Sequence, residues 1–194
     1  HVTAVFEADL SAVTAHRNAT GKAATFTAYF VRASVVALQA VPEVNSRWHD
    51  DGLELFDDCN IGIATALAGG GLIVPVLARA QELDLAETAV RLADLTTRAR
   101  EGKLTPKEVQ GGSFTMSNHG VSGSLLAAPI IINQPQSAIL GIGKVEQRVR
   151  VNAAGGFEAR PMCYVSLTLD HRVLDGYRAN GFLSKLVETI EQWR

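Results

Sequence analysis

This chain has little of what usually assigns a protein quickly. Its 194 residues hold only two cysteines, Cys59 and Cys163. That is too few for a disulfide framework, and neither has a ligand companion at metal-binding spacing, so no zinc or iron–sulfur site is expected. Both lie in apolar or strand-like surroundings and read as buried, reduced thiols, which favours a reducing compartment. There is no charge excess: 18 basic residues face 20 acidic ones, for a formal net charge of -2. That leaves no basic footprint for nucleic acid. No apolar run is long enough to cross a membrane, and no signal-peptide pattern opens the chain. Repeats, linkers and low-complexity segments are missing as well. So is an initiator methionine: the chain begins abruptly at His1, and a piece of a longer protein is expected. What is present is globular. Hydrophobic residues make up 47% and charged ones 20%, enough for one domain with a sizeable core.

The patterning mixes strands and helices. Residues 3–9 look like a strand, and residues 11–17 a short helix with Ser11 as its cap. A helix is predicted over residues 27–41, with Phe30, Ala33, Ser34, Ala37 and Leu38 on one face and Pro42 ending it. Residues 53–56, 60–66 and 72–77 read as strands, with Gly69-Gly70-Gly71 as a tight turn. Asp84 and Glu87 have capping-box spacing before a long helix to about Glu101. Its outer residues Arg91, Asp94, Arg98 and Arg100 read as a solvated face. Thr105-Pro106-Lys107-Glu108 opens a short helix. Residues 113–118 form a strand running into glycines, and Ile130–Ile132 is a further apolar run. Residues 137–142 and 145–151 are expected to pair. A strand over 162–169 leads into a helix carrying Phe182, Leu183, Leu186, Val187 and Ile190. Several strands lie too close together for helical crossovers, which argues for a mixed sheet.

Two polar constellations stand at strand ends. One is Asp170-His171-Arg172-Val173-Leu174-Asp175-Gly176, which places an imidazole in a strand-to-helix turn with a carboxylate four residues on. Histidine takes and returns protons near neutral pH, so His171 is a candidate general base. The other is Thr115-Met116-Ser117-Asn118-His119-Gly120, whose hydroxyl could stabilise a developing oxyanion. His119 itself is taken as structural or peripheral. His16 and His49 are given no role, and Gly111-Gly112 reads as a turn.

With both constellations in view, the chain resembles the catalytic domain of the dihydrolipoamide acyltransferase component of 2-oxoacid dehydrogenase complexes. Residues 170–176 match that family's DHRxxDG motif and residues 114–118 its FTxSN segment. Gly71-Leu72-Ile73-Val74-Pro75-Val76, Pro42-Glu43-Val44-Asn45 and Pro135-Gln136-Ser137-Ala138-Ile139-Leu140-Gly141 also match, in the family's order. The resemblance implies an α/β fold like that of chloramphenicol acetyltransferase, with two layers, a mixed β-sheet flanked by helices, and a trimer as building block. It implies an active site shared between two protomers. His171 would be the general base on the attacking thiol, Ser117 the oxyanion donor from the neighbour, and Asp175 a supporting carboxylate with Arg17 as partner. Coenzyme A and a lipoyl group on a separate domain would be the substrates, with no metal; the residues holding coenzyme A are not assigned.

Residues 1–194 would then be a catalytic domain from which the lipoyl and peripheral-subunit-binding domains are missing. The implied partners are further copies of the chain, in a trimer and a 24-subunit cubic core, and the decarboxylase and dihydrolipoamide dehydrogenase reached through those domains. The implied compartment is the bacterial cytoplasm or the mitochondrial matrix. Residues 129–131, 121–125 and 135–141 favour the succinyl-transferring branch, in which His119, Ser122 or Ser124 could meet the acyl carboxylate. Acetyl or branched-chain transfer, a non-catalytic scaffold subunit and an antibiotic acetyltransferase are the competing readings.

Overall fold

The computed structural model describes residues 1–194. The strands are β1 (Val2–Asp9), β2 (Ser46–His49), β3 (Gly52–Leu55), β4 (Ile61–Ile63), β5 (Thr65–Ala66), β6 (Leu72–Ile73), β7 (Val76–Leu77), β8 (Phe114–Asn118), β9 (Ala138–Ile142), β10 (Glu146–Val151) and β11 (Phe157–Leu169). The helices are α1 (Ser11–Ala19), α2 (Phe26–Ala40), α3 (Leu85–Arg100) and α4 (Gly176–Glu191). Seven strands make one sheet in the order β1-β11-β9-β8-β4-β7, with β10 paired to the first half of β11. The β4–β8 and β8–β9 pairs are parallel and the others antiparallel, so the sheet is mixed as expected.

Strand alternation gives this sheet two different faces. Val165, Leu167 and Leu169 of β11, Leu140 and Ile142 of β9, and Phe114 and Met116 of β8 point to the helix layer and join its core. Phe30 and Leu38 of α2 and Phe182, Leu183 and Leu186 of α4 meet them there. The opposite face carries hydroxyls. In register across the sheet lie Thr168, Ile139 and Thr115, then Ser166, Gly141 and Ser117.

A stretch without regular structure, residues 124–136, lies over that second face. Its backbone and amides need partners, and the sheet's hydroxyls supply them. Ser166 Oγ donates to the Ala127 carbonyl at 2.8 Å, and the Ile130 N–H donates to Thr168 Oγ1 at 3.0 Å. Thr115 Oγ1 donates to Gln136 Oε1 at 2.6 Å, and Gln136 Nε2 donates to the Gly112 carbonyl at 3.0 Å. These bonds are why the apolar run at Ile130–Ile132 forms no strand: Ile132 is buried while Ile131 is 90% exposed. The strap sits so close that a Cβ on Gly143 would lie 2.1 Å from the Leu125 carbonyl oxygen.

Ser11 is the first residue of α1, not its cap; the Asp9 carboxylate accepts from the Ser11 N–H at 2.8 Å and its hydroxyl at 2.6 Å. The β9 and β10 strands are not partners: both lie along the same edge of β11, which runs 13 residues and needs both to cover it. The strands predicted over 60–66 and 72–77 are each broken, at Ala64 and at Val74-Pro75, where proline has no N–H for a ladder. Arg98 is not merely solvated; it ties α3 to the next turn through Asp94 at 2.7 Å and Glu108 at 2.6 Å. The Asp84–Glu87 capping box and the glycine turn at 69–71 are as expected. Cys59 and Cys163 are free and buried, and burial pushes their thiols up to about 11 and about 12.

Candidate active site

His171 stands just past the end of β11, and its turn is held by its two neighbours. The Asp170 N–H donates to the Ser137 carbonyl at 2.9 Å, which ties the turn to the start of β9. The Asp170 carboxylate accepts from the Arg172 N–H at 3.0 Å, closing an Asx turn around His171. Both its oxygens also accept from the Arg172 guanidinium, at 2.5 to 3.1 Å. That hydrogen-bonded ion pair holds the Asp170 carboxyl below the usual carboxylate range. Arg172 in turn stacks over the Trp48 ring of the β2–β3 hairpin, 5.4 Å from its centroid. So the flanking residues are clamped, and His171 projects into solvent, lining a depression of about 490 Å³ with His1, Asp170 and Arg172.

Ser117 lies elsewhere. It pairs with Gly141 near the far end of β9, whereas His171 is anchored beside Ser137. At the usual rise of about 3.3 Å per residue, the stretch from 137 to 141 separates the two by about 13 Å along the sheet. The serine opens into a different cavity, a groove of about 1140 Å³ between the sheet, α3 and the loop after β8. Asn118 beside it is fixed by a 2.9 Å bond from its Nδ2 to Thr27 Oγ1 of α2. The groove is lined by Arg17, Arg100, Lys144 and His119 and by no aspartate or glutamate. Its charge suits an anionic ligand.

The expected pair of Arg17 and Asp175 does not form. Asp175 caps α4, its carboxylate accepting from the Arg178 N–H at 2.8 Å. Arg17 donates from Nε to the Ala24 carbonyl at 2.9 Å and lies over the Phe26 ring. Each side chain is committed to the loop or helix end on which it stands, so neither reaches the other.

Some residues of this region escaped sequence reasoning. The Asp-x-Arg spacing after a strand was a visible Asx-turn signal, but nothing in it showed that the two side chains would bond across His171. Arg100 and Lys144 are far apart in the chain, and only folding puts them in one groove. His119, expected to be structural or peripheral and, on the succinyl reading, a candidate for the acyl carboxylate together with Ser122 and Ser124, lines the groove beside Ser117.

The acyltransferase catalytic-domain model of the 2-oxoacid dehydrogenases matches residues 1–194. A dihydrolipoyllysine-residue succinyltransferase component of the 2-oxoglutarate dehydrogenase complex from Rickettsia bellii is 44% identical over 166 residues, which is 86% of this chain and 41% of that protein. The chain thus spans less than half the length of that curated relative. Among solved structures, the cubic core of a pyruvate dehydrogenase multienzyme complex superposes with a TM-score of 0.91 at 30% identity, covering 98% of this chain and 81% of that one. A chloramphenicol acetyltransferase superposes at 0.67 with 18% identity, covering 98% and 88%, a likeness of fold alone.

Proposed function

Because this chain belongs to the family of 2-oxoacid dehydrogenase acyltransferase catalytic domains, we propose that it moves an acyl group between dihydrolipoamide and coenzyme A, with succinyl the preferred group. The observation that carries the reading is the division of the chemistry: one protomer presents His171 and Ser117 in separate depressions at opposite ends of β9. Each depression is half a site. A neighbouring copy arranged head to tail brings the His171 of one protomer to the Ser117 of the next, and a ring closed by three such contacts is the family's trimer. Trimers of this kind build the 24-subunit cubic core we infer for the chain.

In that shared site His171 takes the proton of the attacking thiol. A thiol's ordinary pKa of about 8.5 is within reach of an imidazole, so no metal is needed. The new thiolate sulfur bonds to the thioester carbonyl carbon, and the Ser117 hydroxyl donates to the oxygen that gains the charge. As the tetrahedral intermediate collapses, the old carbon–sulfur bond breaks and His171 returns its proton to the departing sulfur. No acyl-enzyme forms. The lining of Arg17, Arg100 and Lys144 suits both the phosphates of coenzyme A and a dicarboxylic acyl group. The lipoyl arm belongs to a separate domain of the complex, through which the decarboxylase and dihydrolipoamide dehydrogenase are reached. Asp175 supports the site as the cap that starts α4 directly after the catalytic turn. No helix is long and apolar enough to cross a membrane; bacterial cytoplasm or mitochondrial matrix is the compartment we assign.

The direct test follows transfer from succinyl-, acetyl- and isobutyryl-coenzyme A to free dihydrolipoamide, with chloramphenicol as control acceptor, alongside sedimentation of the assembly. Succinyl transfer by a trimer or a larger multiple is expected. A fully active monomer, or acylation of chloramphenicol alone, would defeat the proposal.

The clamp beside His171 yields a further expectation. Asp170→Asn keeps an acceptor for the turn but removes the ion pair with Arg172. Because small misplacements of a catalytic base are costly, kcat should fall by up to about 10²-fold with KM unchanged. The same change reads out in acid stability. The Asp170 carboxyl is depressed in the folded chain, so its stabilisation is present above its unfolded pKa of about 3.9 and is lost as pH falls through the lower folded value. Melting temperatures of the parent and the variant should therefore differ at pH 6 and converge in strong acid. A constant offset at every pH would show that the ion pair contributes nothing.

A further inference from the structure

His119 is the one histidine whose ring nitrogens are both out of solvent and both without a hydrogen-bond partner. Neutral imidazole always carries one N–H donor, and a buried donor left unpaired calls for an explanation. Desolvation pulls its pKa down, and the nearby Ser124 carbonyl favours the protonated form without reaching bonding geometry. A ligand that accepts a hydrogen bond and carries negative charge would answer both deficits.

Position and charge narrow that ligand. His119 lines the same groove as Ser117, where the other charged groups are Arg17 from α1, Arg100 from α3 and Lys144 after β9. Its Nε2 lies 3.2 Å from where a Cβ on Gly141 would stand. Gly141 is the strand partner of Ser117. With strands about 4.8 Å apart, Nε2 is therefore within about 8 Å of the Ser117 Cβ. A succinyl group whose thioester oxygen meets Ser117 carries its free carboxylate two methylenes further on. That span, with a hydrogen bond at each end, bridges the gap; an acetyl group stops at its methyl and leaves the imidazole unpaired.

We propose that His119 recognises the free carboxylate of the succinyl group and sets the preference for a dicarboxylic acyl chain. The assignment rests on the reading of Ser117 as the oxyanion donor of an acyltransferase. A site built to hydrogen-bond a substrate group discriminates strongly against the analogue that lacks it.

The test measures kcat/KM for succinyl- and acetyl-coenzyme A with the assembled chain, its H119L variant and its H119Q variant. In H119L the succinyl-to-acetyl ratio should fall about 10- to 100-fold, as expected for loss of a hydrogen bond to a charged group. H119Q, which keeps a donor, should fall between H119L and the parent. Should H119L fail to assemble, H119N, whose donor is withdrawn from the acyl tail, serves for the same comparison. An unchanged ratio in these variants, whether or not both rates drop, would overturn the assignment, as would a parent that prefers acetyl. A parent that transfers neither group would defeat the acyltransferase reading itself.

Discussion

Replacing His171 by alanine should lower kcat for acyl transfer by about 10²–10⁴-fold, the range over which a positioned general base contributes. The assembly should survive the change. His171 is exposed in the protomer and has no side-chain bond; the turn around it is held by Asp170, Arg172 and Ser137. The sharper form of the experiment mixes two defective chains. If each site takes His171 from one protomer and Ser117 from the next, co-assembling His171→Ala with Ser117→Ala creates some sites that hold both native residues. For random mixing in a ring of head-to-tail contacts, about a quarter of the sites are intact, and roughly a quarter of the parent activity should return. Mixed assemblies no more active than the sum of their parts would mean that the two residues do not meet across protomers.

Ser117→Ala is the second large effect. Losing one preorganised donor to an oxyanion costs about 10²–10³-fold in kcat. On the proposed role the hydroxyl acts on charge that develops only in the transition state, so KM should hardly move. Ser117→Thr keeps the hydroxyl and should restore most of the rate, whereas a purely packing role would tolerate alanine better than the bulkier residue. Steady-state kinetics of the two variants decide it: if alanine keeps more than half the parent rate, the oxyanion is stabilised elsewhere. The neighbouring Asn118 bond to Thr27 and the Ser117–Gly141 pairing belong to the backbone frame and should persist in both.

Both polar runs were legible in the sequence, because each stands at a strand end where alternation breaks off into glycine or a helix start; the choice of Ser117 within its run came from the family resemblance. The capping box at Asp84 and Glu87 was legible for a similar reason: its physics is local, decided by bonds three residues apart. Strand partners were not. β9 and β10 are consecutive and looked paired, but the length of β11 decided which edge each would cover. The link between Arg17 and Asp175 failed in the same way, since both carboxylate and guanidinium found nearer partners than each other.

By itself, then, the amino-acid order specified the mixed α/β class, the two chemical runs and the family they belong to, all of which depend on neighbours along the chain. Only the folded protein decided that a hydroxyl-bearing sheet face would hold residues 124–136, that Asp170 and Arg172 would grip the turn between them, that Arg17, Arg100 and Lys144 would share a groove free of acids, and that the ring nitrogens of His119 would lie out of solvent and unpaired near Ser117. The reason is that hydrogen bonds and electrostatics act through space over a few ångströms, between groups as far apart in the chain as Asn118 and Thr27 or Lys144 and Arg17, and no local pattern encodes that distance.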